Sequence, residues 1–353
     1  MTAMNQPSAM QIGRRRAGDG CPVFIVMEVA QAHDGSLGTA HALIDVAARA
    51  GADAVKFQTH IAAAESTARE CFRVAFSLQD KTRYAYWKRM EFTEEQWQGL
   101  ADHAAARNLE FLSTPFSMEA VALLERIGME AWKVGSGEIG NTVMLQRMAR
   151  TGKPILLSSG MSAWAELDAA VALVKKAGNP LLVYQCCTQY PTPPAQVGLG
   201  LLGAIRDRYA VPVGLSDHSG TPCFGIAAAA LGAASVEAHV TMSRYSFGPD
   251  VPASLTPEEF TDMVEGIRAV EASLRQTPDK DAVASELADL RRMFGKSIVA
   301  SAAVPCGTVL TEGHLALKKP ADGLPPSRMQ DVIGRRTKRA LHPDEALVEG
   351  DLE

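Results

Sequence analysis

Residues 211–241 read VPVGLSDHSGTPCFGIAAAALGAASVEAHVT. A short apolar run ends at His218, a small-residue helical stretch follows, and a second apolar run ends at His239. The same rhythm repeats back to the start of the chain. VFIVMEV carries Glu28, ADAVKFQ carries Lys56 and Gln58, and LEFLST ends at Ser113. EAWKVGS carries Lys133 and Ser136, PILLSS ends at Ser158 and Ser159, and LLVYQC leads to Thr188 and Tyr190. Eight such runs, usually followed by helical stretches, over about 250 residues predict an α/β chain folded as a (β/α)8 TIM barrel. In that fold the polar residues at the strand ends converge on one mouth, where active sites sit.

The intervening helices have their own signals. Leu37 to Ala50 repeats apolar residues at helical spacing behind Ser36, a candidate cap. Thr93 and Gln96 resemble a capping box. The connection over residues 60–92 is too long for a simple loop and holds Phe72, Phe76, Tyr84, Tyr86, Trp87 and Phe92 with Arg83, Lys88 and Arg89. That aromatic content argues for a lid or subunit contact rather than disorder. Residues 1–20 read as a flexible tail, 21–277 as the barrel, 278–295 as a polar linker, and 296–353 as a small second domain of short strands and turns.

A chain of 353 residues with formal net charge −5 gives no nucleic-acid footprint. The six cysteines form no CxxC pair and no disulfide framework. No run is long enough to span a membrane and no signal-peptide core follows Arg14–Arg16, so the protein is expected in the cytoplasm. GLGLLG at 198–203 matches a dinucleotide fingerprint but does not directly follow a strand, and is discounted.

Three constellations carry chemistry. His218 and His239 end neighbouring strands, which suits a divalent metal with open positions; Asp217 and Glu237 stand near enough in sequence to support them from behind. The bland alternative is a pair of satisfied polar histidines. Lys56 and Lys133 face the same mouth. With the hydroxyls and backbone of SGE (136–138) and SSGM (158–161) they favour a phosphate-bearing anion over a Schiff-base aldolase lysine, or over lysines snorkelling to solvent. Glu28 is a candidate general base, or else one half of an ion pair with a lysine.

Together these stretches resemble the sialic acid synthase family, the phosphoenolpyruvate-condensing enzymes that make N-acetylneuraminate and related nonulosonates. The resemblance rests on residues 28–58, 111–128, 131–141, 152–161, the YPTP at 190–193, 212–220 and 230–260, and it extends over nearly the whole chain from Pro22. It implies that residues 296–353 are an antifreeze-like (SAF) domain capping a partner's barrel in a swapped homodimer. It implies manganese, or else magnesium or cobalt, on His218 and His239, with Glu28 as the catalytic carboxylate. Phosphoenolpyruvate would be held by Lys56, Lys133, Ser136, Ser158, Ser159, Gly160 and Ser216, and an acetamido sugar by Gln58, Glu138, Thr188, Tyr190, Asp250 and Lys319. N-acetylmannosamine is the default acceptor, and a diacetamido-dideoxy hexose giving a legionaminate- or pseudaminate-type product is the near rival. Where the family often carries an NHNG-like motif, this chain has Ala32-His33-Asp34-Gly35. Where members often have Asn or Ser-Glu it has Thr188-Gln189, and Lys319-Pro320-Ala321 replaces Arg-Pro-Gly. All three departures fall on the sugar side, which implies an altered acceptor rather than lost chemistry. A barrel kept only for binding would be expected to lose the histidine pair or the lysines, and both are present.

Overall fold

The structure is a computed structural model that describes residues 9–353. The chain divides into two compact units after Arg275, close to the boundary expected at 277.

The first unit opens with a hairpin of β1 (Met10–Ile12) and β2 (Arg15–Ala17). This corrects the expectation of a loose tail for residues 10–17; residues 1–8 lie outside the described residues. Met10, Ile12 and Ala17 are buried against Phe24, Val26, Leu156 and Leu182, so the hairpin is apolar packing for the barrel interior. Each fully buried Ile or Met contributes about 1.5–3 kcal/mol.

All eight apolar runs are strands. They are β3 (Phe24–Ala30), β4 (Ala54–Thr59), β5 (Glu110–Pro115), β6 (Trp132–Val134), β7 (Ile155–Ser158), β8 (Leu181–Cys186), β9 (Val213–Asp217) and β10 (Ser235–His239). Their order is β5-β4-β3-β10-β9-β8-β7-β6, every pair is parallel, and β5 and β6 run beside each other at the two ends of the order. Ser36 and Thr93 cap the expected helices, Leu37–Arg49 and Glu94–Ala106, with Gln96 completing the capping box.

Strand alternation sorts side chains between two environments. On β3, Ile25, Met27 and Val29 pack outward among Leu43, Ile44 and other helix residues, while Phe24, Val26 and then Glu28 point inward. The inward positions are apolar low in the barrel and polar at its mouth. Between the two layers lies Tyr184. A Cβ on Gly214 would sit 2.6 Å from its ring and 2.8 Å from the Ser235 carbonyl, so glycine is what lets the ring cross the lumen. The Tyr184 hydroxyl closes the floor by a 2.7 Å hydrogen bond with Ser235 Oγ.

The second unit has its own core of Ile298, Val304, Leu310, Val332, Leu341 and Leu347 around the antiparallel pair β11 (Ser297–Ala300) and β12 (Leu315–Lys318). Residues 278–295, expected as a linker, carry two short helices, Lys280–Glu286 and Ala288–Phe294. Among the described residues no helix is long and apolar enough to cross a membrane.

Candidate active site

Above the Tyr184 floor the inward side chains are charged and buried. Lys56 Nζ lies 2.7 Å from Glu28 Oε2 and 3.5 Å from Glu237 Oε1. Lys133 Nζ lies 3.1 Å from the same Glu237 oxygen, donates to Ser158 Oγ at 2.8 Å, and sits 4.8 Å above the Tyr184 ring. Ser216 Oγ donates to Glu237 Oε1 at 3.2 Å, and Gln58 Nε2 donates to Glu28 Oε1 at 2.9 Å. Two ammonium groups face two carboxylates, which is how a protein keeps lysines charged away from water. Burial pushes the Glu28 carboxyl up and the Lys133 ammonium down. Burial also opposes ionisation of Glu237 and Lys56, but the two lysines hold Glu237 low, and the two carboxylates hold Lys56 high.

Glu237 therefore contacts the lysines and Ser216 rather than the histidines behind which the sequence set it, although its charge still acts on His218. Asp217 is also misassigned by sequence proximity. Its carboxylate accepts from the backbone and hydroxyl of Ser219, at 3.2 and 2.6 Å, and staples a turn. The parity of β9 turns Ser216 to the cavity and Asp217 away from it.

At the rim the His218 and His239 rings stand 4.9 Å apart between centroids. Tyr190 Oη is 3.0 Å from His218 Nε2, and Asp250 Oδ2 is 3.9 Å from His239 Nδ1. Burial lowers both imidazole pKa values, which keeps the rings in the neutral form that ligates metals. Among the described residues no three His, Cys, Asp or Glu side chains gather into a ready metal cage. Two neutral imidazoles on one cavity nevertheless fit a divalent ion that takes its other positions from water and substrate.

The remaining sequence candidates divide. Ser136, Glu138, Thr188, Tyr190, Ser216 and Asp250 line the same cavity, of about 440 Å³, as Glu28, Lys56, Lys133 and Ser158. Thr188 Oγ1 and Glu237 Oε2 are buried at this cavity without a protein hydrogen-bond partner. Gly160 packs under that wall, where a Cβ would meet Thr188 Oγ1 at 2.4 Å and Ser136 Oγ at 2.6 Å. Ser159 does not line the cavity; its hydroxyl turns toward Gln185 Oε1, 3.5 Å away. Lys319 belongs to the second unit, where its ammonium lies 5.1 Å over the Phe294 ring.

Three cavity residues had no individual signal in the sequence. Arg73 donates to Asp250 Oδ1 at 2.7 Å and covers the Tyr190 ring at 4.3 Å. His60 is sandwiched between Trp87 and Phe116, 3.9 and 4.7 Å between centroids. Gln31 donates to Gln58, 2.5 Å away, the residue that orients Glu28. Arg73 and Trp87 come from the long 60–92 connection, whose aromatic residues form their own buried cluster and line the cavity with Phe72, Phe76 and Tyr86.

Residues 43–278 match the model of the NeuB family, and residues 295–353 match the SAF domain. The chain belongs to the NeuB family. It is 32% identical over 332 residues to the N,N'-diacetyllegionaminic acid synthase of Campylobacter jejuni, covering 92% of this chain and 99% of that one. It is 30% identical over 339 residues to the human N-acetylneuraminate-9-phosphate synthase, covering 95% and 94%. Among solved structures, the N-acetylneuraminic acid synthetase of Leptospira borgpetersenii superposes with a TM-score of 0.70 at 27% identity, covering 82% of this chain and 98% of that one. The NeuB match covers most of the barrel unit, and the SAF match covers β11, β12 and the core around them.

Proposed function

We propose that this NeuB family barrel is a nonulosonate synthase that condenses phosphoenolpyruvate with an open-chain 2-acetamido sugar and releases phosphate. The observation that carries this reading is the buried Lys56–Glu28 and Lys133–Glu237 set beneath a pair of neutral histidines. Lys56 and Lys133, with Ser136, Ser158 and Ser216, hold the phosphate and carboxylate of phosphoenolpyruvate by charge and hydrogen bonding. Gln58, Glu138, Thr188, Tyr190 and Asp250 orient the sugar so that its aldehyde carbon meets C3 of phosphoenolpyruvate, a positioning effect. His218 and His239 would hold a divalent ion, manganese first and magnesium or cobalt next, which would supply Lewis-acid polarisation of a carbonyl oxygen. Water adds at C2 as the new C–C bond forms; Glu28, its carboxyl raised by burial, takes the water's proton, and the former aldehyde oxygen takes up a proton to become a hydroxyl. The tetrahedral centre then loses inorganic phosphate and leaves a 2-keto acid. The working unit is a homodimer in which a SAF domain caps the partner's barrel.

N-acetylmannosamine is the first acceptor to test. A diacetamido-dideoxy hexose is the second, because Phe72, Val74 and Phe76 present an apolar wall that suits deoxygenated carbons and acyl methyls. The test is phosphate release from phosphoenolpyruvate with manganese and each sugar. Release that requires one sugar and stops with a chelator supports the reading; release from no sugar, together with no binding of phosphoenolpyruvate, overturns it.

A further inference from the structure

Helices Leu37–Arg49 and Glu94–Ala106 hold a second histidine pair, none of it among the cavity residues. His41 Nδ1 and His103 Nδ1 lie 2.9 Å apart, with the rings inclined at 42°. His103 Nε2 is 3.1 Å from Asp45 Oδ1, which also accepts from Arg107 Nε at 2.6 Å. Both residues are half-buried.

We propose that His41 and His103 form a second transition-metal site, which takes Ni²⁺ or Cu²⁺ through the Nδ1 atoms of both rings. Imidazole nitrogens bind such ions at about 2.0–2.1 Å, so two cis donors in an octahedral or tetragonal shell stand about 3 Å apart. The observed 2.9 Å separation matches that spacing; the two atoms now share a hydrogen-bond proton, which metal binding would release to solvent. Asp45 supplies the carboxylate behind a ligating histidine that fixes its tautomer and orientation. Burial, and then the charge of His103, lower the His41 pKa, so the lone pair is available to a cation at neutral pH. Asp45 is engaged by His103 Nε2 and Arg107 Nε rather than turned to the paired Nδ1 atoms, so water completes the shell. A bound ion would pin the helix Glu94–Ala106, which directly follows the long connection over the cavity, to its neighbour.

Titration of the full chain with Ni²⁺ by calorimetry tests the site. The wild type is expected to bind one equivalent more than either His41→Ala or His103→Ala, and Asp45→Asn to bind that equivalent roughly tenfold more weakly. Equal stoichiometry in the wild type and both alanine variants overturns the proposal. A second measurement uses the His218→Ala background, in which the catalytic pair is broken. There Cu²⁺ should give an electron paramagnetic resonance signal with two nitrogen donors that disappears on adding His41→Ala; a signal indifferent to His41 overturns the site. Synthase turnover with manganese is expected to be unchanged in His41→Ala, so failure here is separate from failure of the catalytic reading.

Discussion

Lys56 Nζ lies 2.7 Å from Glu28 Oε2, between residues that stand opposite each other on adjacent parallel strands, and both side chains are buried. The cation proposed to hold the anionic substrate is thus also the group that restrains the proposed base. In the proposed reaction, an anion arriving at Lys56 would compete with Glu28 for the ammonium and free the carboxylate to accept a proton. Glu237 repeats the arrangement with Lys133 at 3.1 Å, so each lysine has a buried carboxylate beside it.

Glu237→Gln leaves two buried ammonium groups with one carboxylate. Removing one partner of a buried ion pair costs about 3–5 kcal/mol. A urea unfolding midpoint lowered accordingly is expected, with inorganic phosphate restoring more stability to the variant than to the wild type. An unchanged midpoint would show that the lysines do not depend on this carboxylate.

Glu28 and Lys133 narrow the active pH range from both sides. Burial raises the Glu28 carboxyl, so its ionised form appears at higher pH than for an exposed glutamate. Burial lowers Lys133, so its charge is lost at lower pH than for an exposed lysine. The profile of kcat/KM for phosphoenolpyruvate should therefore be a bell with its acidic limb above the ordinary glutamate range and its alkaline limb below the ordinary lysine range. Limbs at the ordinary values would contradict the assignment of these two groups.

Gly160→Ala puts a Cβ within 2.4 Å of Thr188 Oγ1 and 2.6 Å of Ser136 Oγ. Overpacking of this kind costs about 1–3 kcal/mol. Displacing ligand-facing hydroxyls by about 1 Å should lower turnover roughly a hundredfold. Near-normal turnover with a normal melting temperature would show that the wall yields freely.

Arg73→Met removes the guanidinium that holds Asp250 and covers Tyr190. A charge-assisted hydrogen bond contributes about 1.5–3 kcal/mol, so the KM of whichever acceptor supports phosphate release should rise roughly tenfold or more. The KM for phosphoenolpyruvate should move little. Equal rises in both constants would detach Arg73 from the sugar side.

Ile12→Ala empties part of the hairpin packing inside the barrel, where Ile12 is fully buried. Core truncations of this size cost about 2–5 kcal/mol. Calorimetry should show lowered stability with KM values intact; no loss would mean that the hairpin is dispensable.

The eight strands were legible because each is an unbroken apolar run, and the polar residue that ends it is already at the mouth by virtue of where it stops. Glu28, Lys56, Lys133, Ser158, His218 and His239 were found this way. The hairpin was not, because three-residue strands are too short to show a period, and Met10 and Ile12 become core only when the barrel offers them an interior. Asp217 was set behind the histidines by its nearness in sequence to His218, whereas strand parity turns it from the cavity to Ser219 and leaves Ser216 facing in, as expected. Glu237 was set beside the histidines because it is two residues from His239, yet it meets Lys133, 104 residues away. Arg73 and Asp250 are 177 residues apart and share no pattern at all. Strand and helix periodicity reflects the chemistry of neighbouring residues, so the amino-acid order alone specified the alternation and the content of the mouth. Which carboxylate neutralises which lysine, and which arginine covers the tyrosine, arises only when the strands close on each other, because Coulomb and hydrogen-bond partners are chosen by distance in space.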